Sequence, residues 1–298
     1  MKVVIYSDVL DLAKELIGLA NELGAETELI LAGVEPDGVV GVDKITLYRS
    51  VSPEDQELVL EVLKQADADL YLLSNDRRGR ELVGLLAHAK GGGASIVDAT
   101  NVKVEGGKVI VERMTLGGKG VAVEEARMPA VISVMAGKYK PPEEGKSPEI
   151  VEKEPPSIER MVVLVDKKEK PKVGVPLDKA DVVIAVGRGF KKKEDLKMAY
   201  ELAEILGGVV GATRPLAADL KWMPEEVWIG ISGVRIRPRL LIVIGASGQQ
   251  QFSAGIMDSK VVVAINNDEK APIFEVSDYG IVADLYEAVP KLIEKLKR

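Results

Sequence analysis

Twice along this chain, strand-length apolar runs alternate with segments whose apolar residues recur at helical spacing. That alternation constrains the fold more than any other feature. Strands apolar on both faces must be covered on both faces, and parallel neighbours need crossovers long enough to hold a helix. The pattern predicts an α/β protein with two doubly wound parallel-sheet domains. In the first, residues 3–6, 27–32, 70–74 and 95–98 read as strands, and 10–23, 53–65 and 80–90 as helices. Ser52 is placed to cap the second helix, with Pro53 in its first turn. Residues 102–104 and 109–111 flank Gly106-Gly107 and read as a hairpin, followed by a strand over 131–135. The proline-rich, charged stretch 138–157 reads as an extended surface connector, and 161–165 as a strand returning to the first domain. The charged stretch 166–172 then sets a boundary, giving domains 1–170 and 171–298.

The second domain restarts the alternation. Strands are expected over 181–186, 240–244 and 260–265, and helices over 193–206, 250–256 and 285–296. Four strand ends finish in small or polar residues: Gly187-Arg188-Gly189, Gly211-Ala212-Thr213-Arg214, Gly245-Ala246-Ser247-Gly248 and Ile265-Asn266-Asn267-Asp268. Ligands of open parallel sheets bind at the carboxyl ends of strands, where glycine lets backbone approach a phosphate. Any one of these glycines can equally serve only to turn the chain. Four such turns on one edge, two with arginine, point to a nucleotide. Gln249, Gln250 and Gln251 follow the third turn, and the only other glutamines are Gln56 and Gln65. A neutral amide that both donates and accepts suits a ribose, a ribityl chain or a ring edge, and it also suits a solvated helix start. Ile229-Gly230-Ile231-Ser232-Gly233 is a further small-residue loop that by itself says little.

Composition excludes several chemistries. There is no cysteine and one histidine, His88, so thiol, disulfide, iron–sulfur and multi-histidine metal sites have no ligands. His88 reads as an ordinary helix residue. No Ser-His-Asp arrangement suggests itself, and no carboxylate pair stands at a spacing that asks for acid–base work. A net charge of -7 gives no general affinity for nucleic acid. The apolar runs are too short for membrane insertion. The opening MKVVIYSDVLDLAKEL reads as a strand and polar helix rather than an export signal, and the expected location is cytoplasmic. Scarce Asn and Gln with abundant Glu and Lys suit a thermophile. The cluster 76–80, with three arginines, faces either a phosphate or a partner, or is a solvated helix start. Lys191, Lys192 and Lys193 read as a solvated face.

The segments VGRGF (186–190), GGVVGATRP (207–215), IGISG (229–233) and the long block GASGQQQFSAGIMDSKVVVAINNDEKAPIFEVSDYGIVADL (245–285) together resemble the α subunit of electron transfer flavoproteins. GRELVGLLAHAKGGGASIVDAT (79–100) and RMPAVISV (127–134) carry a weaker likeness in the first domain. The resemblance implies a heterodimer with a β subunit that holds AMP or, in bifurcating relatives, a second FAD. It implies one FAD in a Rossmann-like second domain, and a nucleotide-hydrolase-like first domain that pairs with the β subunit. Electrons would pass from dehydrogenase donors to a quinone-reductase-like acceptor, so the chain would be a carrier rather than an enzyme. By the same resemblance Arg188 contacts FAD. Thr213 stands where serine is usual. Arg214 lies over the flavin ring, where its charge favours the negative charge gained on reduction. Ser232 takes the place of a threonine near flavin N5, with Gly230 beside it. Ser247, Gly248, Gln249, Gln250 and Gln251 form the pyrophosphate and ribityl loop. Asn266 and Asp284, with Leu285, hold the adenosine half. Two departures from the family pattern matter most: Ile231 replaces a glutamine, and Phe252 replaces a histidine beside the pyrimidine edge. An NAD-dependent oxidoreductase domain and a non-redox nucleotide-sensing module remain as other readings of the same topology.

Overall fold

The computed structural model describes residues 1–116, 120–167 and 176–297. The chain divides into two compact units, Met1–Lys168 and Glu169–Arg298. The boundary expected within 166–172 lies largely outside the described residues.

The first unit is built on a nine-stranded sheet. Its strands are β1 (Lys2–Tyr6), β2 (Glu26–Ala32), β3 (Lys44–Tyr48), β4 (Leu70–Ser74), β5 (Ala94–Glu105), β6 (Lys108–Thr115), β7 (Gly120–Arg127), β8 (Ala130–Val134) and β9 (Glu149–Glu152). Their order is β7-β6-β5-β8-β4-β1-β2-β3-β9. β5, β6 and β7 pair antiparallel, and every other pairing is parallel. Side chains on a strand alternate between faces. Val3, Ile5, Leu29, Leu31, Leu70 and Leu72 therefore meet α1 (Leu10–Glu22) on one side. Val4, Tyr6, Ile30, Ala32, Tyr71 and Leu73 meet α2 (Gln56–Lys64) and α3 (Arg77–Ala89) on the other. The hairpin turns at Gly106 (φ +57°) and Gly107 (φ +77°), the pair of positive φ angles that a two-residue turn of matching twist requires.

Several sequence expectations need correction here. α2 is capped by Asp55, whose carboxylate accepts from Leu58 N at 3.1 Å, while Ser52 Oγ donates to Glu54 at 2.6 Å. α3 begins earlier than residue 80, because Asp76 accepts from Gly79 N at 2.9 Å and draws Arg77 and Arg78 into the first turn. Two arginines of the cluster are paired within the unit: Arg78 with Asp8 and Glu54, and Arg80 with Asp98 at 3.8 Å. β3 and β7 were not expected, and the connector 138–157 contributes β9 alongside β3. Residues 161–165 form no strand. They run extended in the open, with Val165 94% and Met161 90% exposed. Arg160 bonds Asp55 at 2.7 Å and Met161 N bonds Glu57 at 2.9 Å, so side-chain contacts to α2 replace a ladder.

The second unit carries an all-parallel five-stranded sheet, β11-β10-β12-β13-β14. The strands are β10 (Val182–Val186), β11 (Val209–Ala212), β12 (Leu240–Ile244), β13 (Val262–Asn266) and β14 (Tyr279–Val282). Ile184, Val186, Ile242, Ile244 and Ile265 pack under α4 (Lys197–Leu206) and α6 (Leu285–Leu296). The other face is covered differently from a regular doubly wound layer. Val183, Ala185, Leu241, Val243 and Ala264 meet Ile229, Ile236, Phe252, Ile256 and Ile273, which come from loops and single helical turns. One of these turns is α5 (Gln250–Ser253), shorter than the expected 250–256.

A buried carboxylate ties the first sheet together. Glu28, 6% exposed, accepts from Thr46 Oγ1 at 2.6 Å and lies 2.9 Å from Lys2 and 3.2 Å from Lys44. Burial pushes its pKa up, but the bonds from Thr46, Lys2 and Lys44 outweigh burial and bring it from the ordinary 4.5 to about 2. A depressed folded-state pKa contributes stability above pH 4.5 and loses it as pH falls toward about 2. Glu28→Gln is expected to cost roughly 1–3 kcal/mol near neutral pH. It also flattens the loss of stability across that acid window, as thermal melts at a series of pH values will show.

Candidate functional site

β10 leads to β11 on one side and β12 lies on the other, so the strand order reverses between β10 and β12. A crevice opens at the carboxyl ends of strands at such a point. Here it is a cavity of about 620 Å³, within the usual range for small-molecule sites.

Backbone bonds extend the sheet beyond its strands to shape this cavity. Gly187 N donates to Ile244 O at 2.9 Å, Gly189 N to Gly245 O at 2.8 Å, Thr213 N to Val186 O at 2.9 Å and Gly245 N to Ile265 O at 2.9 Å. The turns from four strands are thereby fixed against one another. Gly248 is required where it stands. Its φ is +77°, and a Cβ there would lie 2.3 Å from Ile273 N. Asn266 is buried and pins the third turn: its Nδ2 donates to Ala246 O at 2.9 Å and its Oδ1 accepts from Asp268 N at 3.0 Å. The loop of residues 229–236 is fastened to the α5 region by Ile231 N to Gln251 O at 2.9 Å and Ile236 N to Gly255 O at 2.9 Å. Two segments distant in sequence become one wall. The loop carrying Arg188 is held from α6, where the Tyr286 hydroxyl accepts from Lys191 N at 2.7 Å and donates to Asp195 at 2.6 Å.

Twelve of the residues expected from sequence line this cavity: Arg188, Thr213, Arg214, Gly230, Ile231, Ser232, Ser247, Gly248, Gln249, Gln251, Phe252 and Asn266. Three expected residues do not. Gln250 opens α5 outside the lining. Asp284 caps α6, accepting from Tyr286 N at 2.8 Å. Leu285 is buried beneath the turns, against Gly189 and Gly245. The structure adds Asp219 and Trp228, which the sequence did not single out, and brings in Pro215 and Ile229 from segments already marked. Trp228 had a signal, being one of two tryptophans and directly preceding the Ile229–Gly233 loop. Asp219 had none: it arrives through the π-helical turn Pro215–Asp219.

The polar lining is incompletely satisfied within the protein. Arg188 and Arg214 pair with no carboxylate among the described residues, and Asp219 is the one acidic lining residue among them. Thr213 Oγ1 is buried without a hydrogen-bond partner, which costs free energy unless something else satisfies it. Hydroxyls, amides and two unneutralised cations share the lining of this cavity with Trp228, Ile229 and Phe252. That combination suits an elongated ligand with an anionic portion and a planar ring. Among the described residues no His/Asp/Glu group is arranged to hold a metal ion.

Residues 176–257 match the family model described as electron transfer flavoprotein FAD-binding domain, and residues 11–158 match the electron transfer flavoprotein domain. The chain belongs to the electron transfer flavoprotein family, as an α-type subunit. Its cofactor is FAD. Among its relatives, a protein of Escherichia coli K12 provisionally named electron transfer flavoprotein subunit YdiR is 36% identical over 81% of this chain and 78% of its own length. Protein FixB of Escherichia coli O9:H4 is 31% identical over 100% of this chain and 98% of its own. Protein FixB of Salmonella paratyphi A is 31% identical over 99% and 97%.

The orphaned Thr213 hydroxyl fits FAD, which offers acceptors and donors along its length. Thr213→Val is expected to act in opposite senses in the two states. Without ligand the melting temperature stays or rises, because a buried unpaired hydroxyl is gone. With FAD the dissociation constant rises roughly 3- to 10-fold, the worth of one hydrogen bond. Melting scans and fluorescence titrations of apoprotein check both halves.

Proposed function

We propose that this chain is the FAD-carrying α subunit of a heterodimeric electron transfer flavoprotein. In this reading the second unit is a Rossmann-like FAD-binding domain, and the first, nucleotide-hydrolase-like in topology, pairs with a β subunit that carries AMP or a second FAD. Electrons come from dehydrogenases and leave to a quinone-reductase-like acceptor, within a bifurcating complex if the partner holds flavin. The chain itself transforms no substrate. No helix among the described residues is long and apolar enough to cross a membrane, and we place the protein in the cytoplasm.

The observation that carries this reading is the pair of unneutralised arginines beside a buried, unpartnered hydroxyl at the sheet's switch point. Bound FAD supplies the redox chemistry, taking up and giving off electrons. Arg188, Ser247, Gly248 and Gln249 line the cavity, and in this reading they meet the anionic and sugar portions through charge and hydrogen bonds. Thr213, Arg214, Ser232 and Phe252 line the same cavity, and in this reading they surround the ring. Arg214 raises the ring's affinity for electrons, because a nearby positive charge stabilises negative charge gained on reduction. Ser232 offers a hydroxyl able to donate or accept. Phe252, 7% exposed, excludes water from its side of the cavity but offers no donor.

The first test is an absorption spectrum of the chain co-expressed with its β partner, followed by reductive titration. About one FAD per α chain supports a simple carrier, and about two per pair a bifurcating complex. A colourless pair that takes up no added FAD removes the reading. A finer prediction concerns Phe252. Phe252→His introduces a donor where negative charge develops and is expected to stabilise it by roughly 1–3 kcal/mol, about 40–130 mV for one electron. Potentiometry of both proteins decides it, and an unchanged potential removes Phe252 from the tuning of the flavin.

A further inference from the structure

Arg214 stands at the cavity with no ion pair among the described residues. What it meets instead is an indole. Its Cζ lies 5.5 Å from the centroid of the Trp228 ring, inside the range over which an aromatic face attracts a cation. The two residues are brought together by an isolated parallel bridge between Ala212 and Trp228, which extends the β11 edge.

Trp228 is itself held firmly. Its N–H donates to Glu225 O at 3.0 Å, its carbonyl accepts from Val234 N at 2.7 Å, and Ile229 N donates to Ala212 O at 2.8 Å. Gly233 closes over it: a Cβ there would lie 2.2 Å from the Trp228 carbonyl oxygen and 3.0 Å from ring atom Cγ. Gly230 also lies close, where a Cβ would stand 3.4 Å from the indole Nε1. Neither glycine has a side chain that could displace the ring.

The choice of an indole has an electrostatic reason. A long arginine side chain loses rotamer freedom when it is ordered, so something must fix it. A carboxylate would fix the guanidinium but cancel its charge at any distance beyond the pair. An aromatic face fixes it through the ring quadrupole and leaves the full positive charge acting on whatever occupies the cavity. We propose that Trp228 is the positioning residue for Arg214, holding its uncompensated charge against the redox ring of bound FAD. This rests on the flavin reading above and deepens it.

The test uses Trp228→Leu, Trp228→Phe, Arg214→Gln and the double variant Trp228→Leu/Arg214→Gln, each co-expressed with the β partner. The first readout needs no flavin. In FAD-free protein, the Arg214 side-chain N–H resonance is displaced by the indole ring current, keeps a displacement in Trp228→Phe, and returns to the position of a free arginine in Trp228→Leu. In loaded protein, Trp228→Leu lowers the flavin midpoint potential in the same direction as Arg214→Gln. It weakens FAD binding roughly 3- to 30-fold. Once Arg214 is already Gln, replacing Trp228 changes the potential little further, and Trp228→Phe stays near wild type. If Trp228→Leu leaves the potential unchanged while lowering only the melting temperature, or shifts it equally in both backgrounds, the indole is a plain wall and the proposal is overturned. Absence of the ring-current displacement in wild type overturns the stack itself. A wild-type pair that takes up no FAD overturns the flavin reading, and with it the role of the charge toward a flavin; the flavin-free resonance still tests the Arg214–Trp228 stack by itself.

Discussion

The second unit depends on backbone hydrogen bonds that continue past the ends of its strands. Gly187, Gly189 and Gly245 each donate to a neighbouring turn or strand end, so four separate turns behave as one rigid rim. Their close approach leaves no space for side chains. A Cβ on Gly187 would lie 2.5 Å from Ala246 Cα, and one on Gly189 would lie 2.8 Å from Gly245 Cα. Everything that gives the cavity its chemistry is displayed from this rim or from the loops fastened to it. Leu285 and Asp284 matter to the same rim from below, one filling space under the turns and the other starting the helix beneath them.

Much of the architecture was readable in the amino-acid order, and the exceptions have physical causes. β1, β4, β10, β12 and β13 are predominantly apolar runs bounded by helical periods, so little else fits them. β3 escaped notice because its apolar run is short and interrupted by Lys44 and Thr46, and Thr46 is buried only because Glu28 accepts from its hydroxyl. β7 is an antiparallel edge strand that contains Glu124 and Glu125, so its apolar content is low. Residues 161–165 have the composition of a strand, yet a strand needs a free ladder. β9 takes the edge beside β3, and the segment is drawn instead to α2 by Arg160 and Met161. Ser52 and Asp55 are both good caps. The local turn around Pro53 decided between them.

The site was readable to the extent that it consists of turns. Glycine and arginine at the ends of parallel strands carry their meaning in one dimension, and most of the residues so marked do meet at the cavity. Trp228 could not be recognised in the same way. Its significance comes from a bridge to Ala212 and a face turned to Arg214, both tertiary facts. The three glutamines divide for a similar reason. On a one-turn helix, Gln249 and Gln251 reach the cavity while Gln250 is carried to another side.

The bond between Ile231 N and Gln251 O, with that between Ile236 N and Gly255 O, joins two loops that face the same space. Neither loop can be reshaped alone without breaking a main-chain link to the other. For anyone redesigning the pocket, residues 229–236 and 249–255 therefore form a single module. Grafting one loop from a relative without its mate introduces a mismatch in backbone register rather than a new specificity.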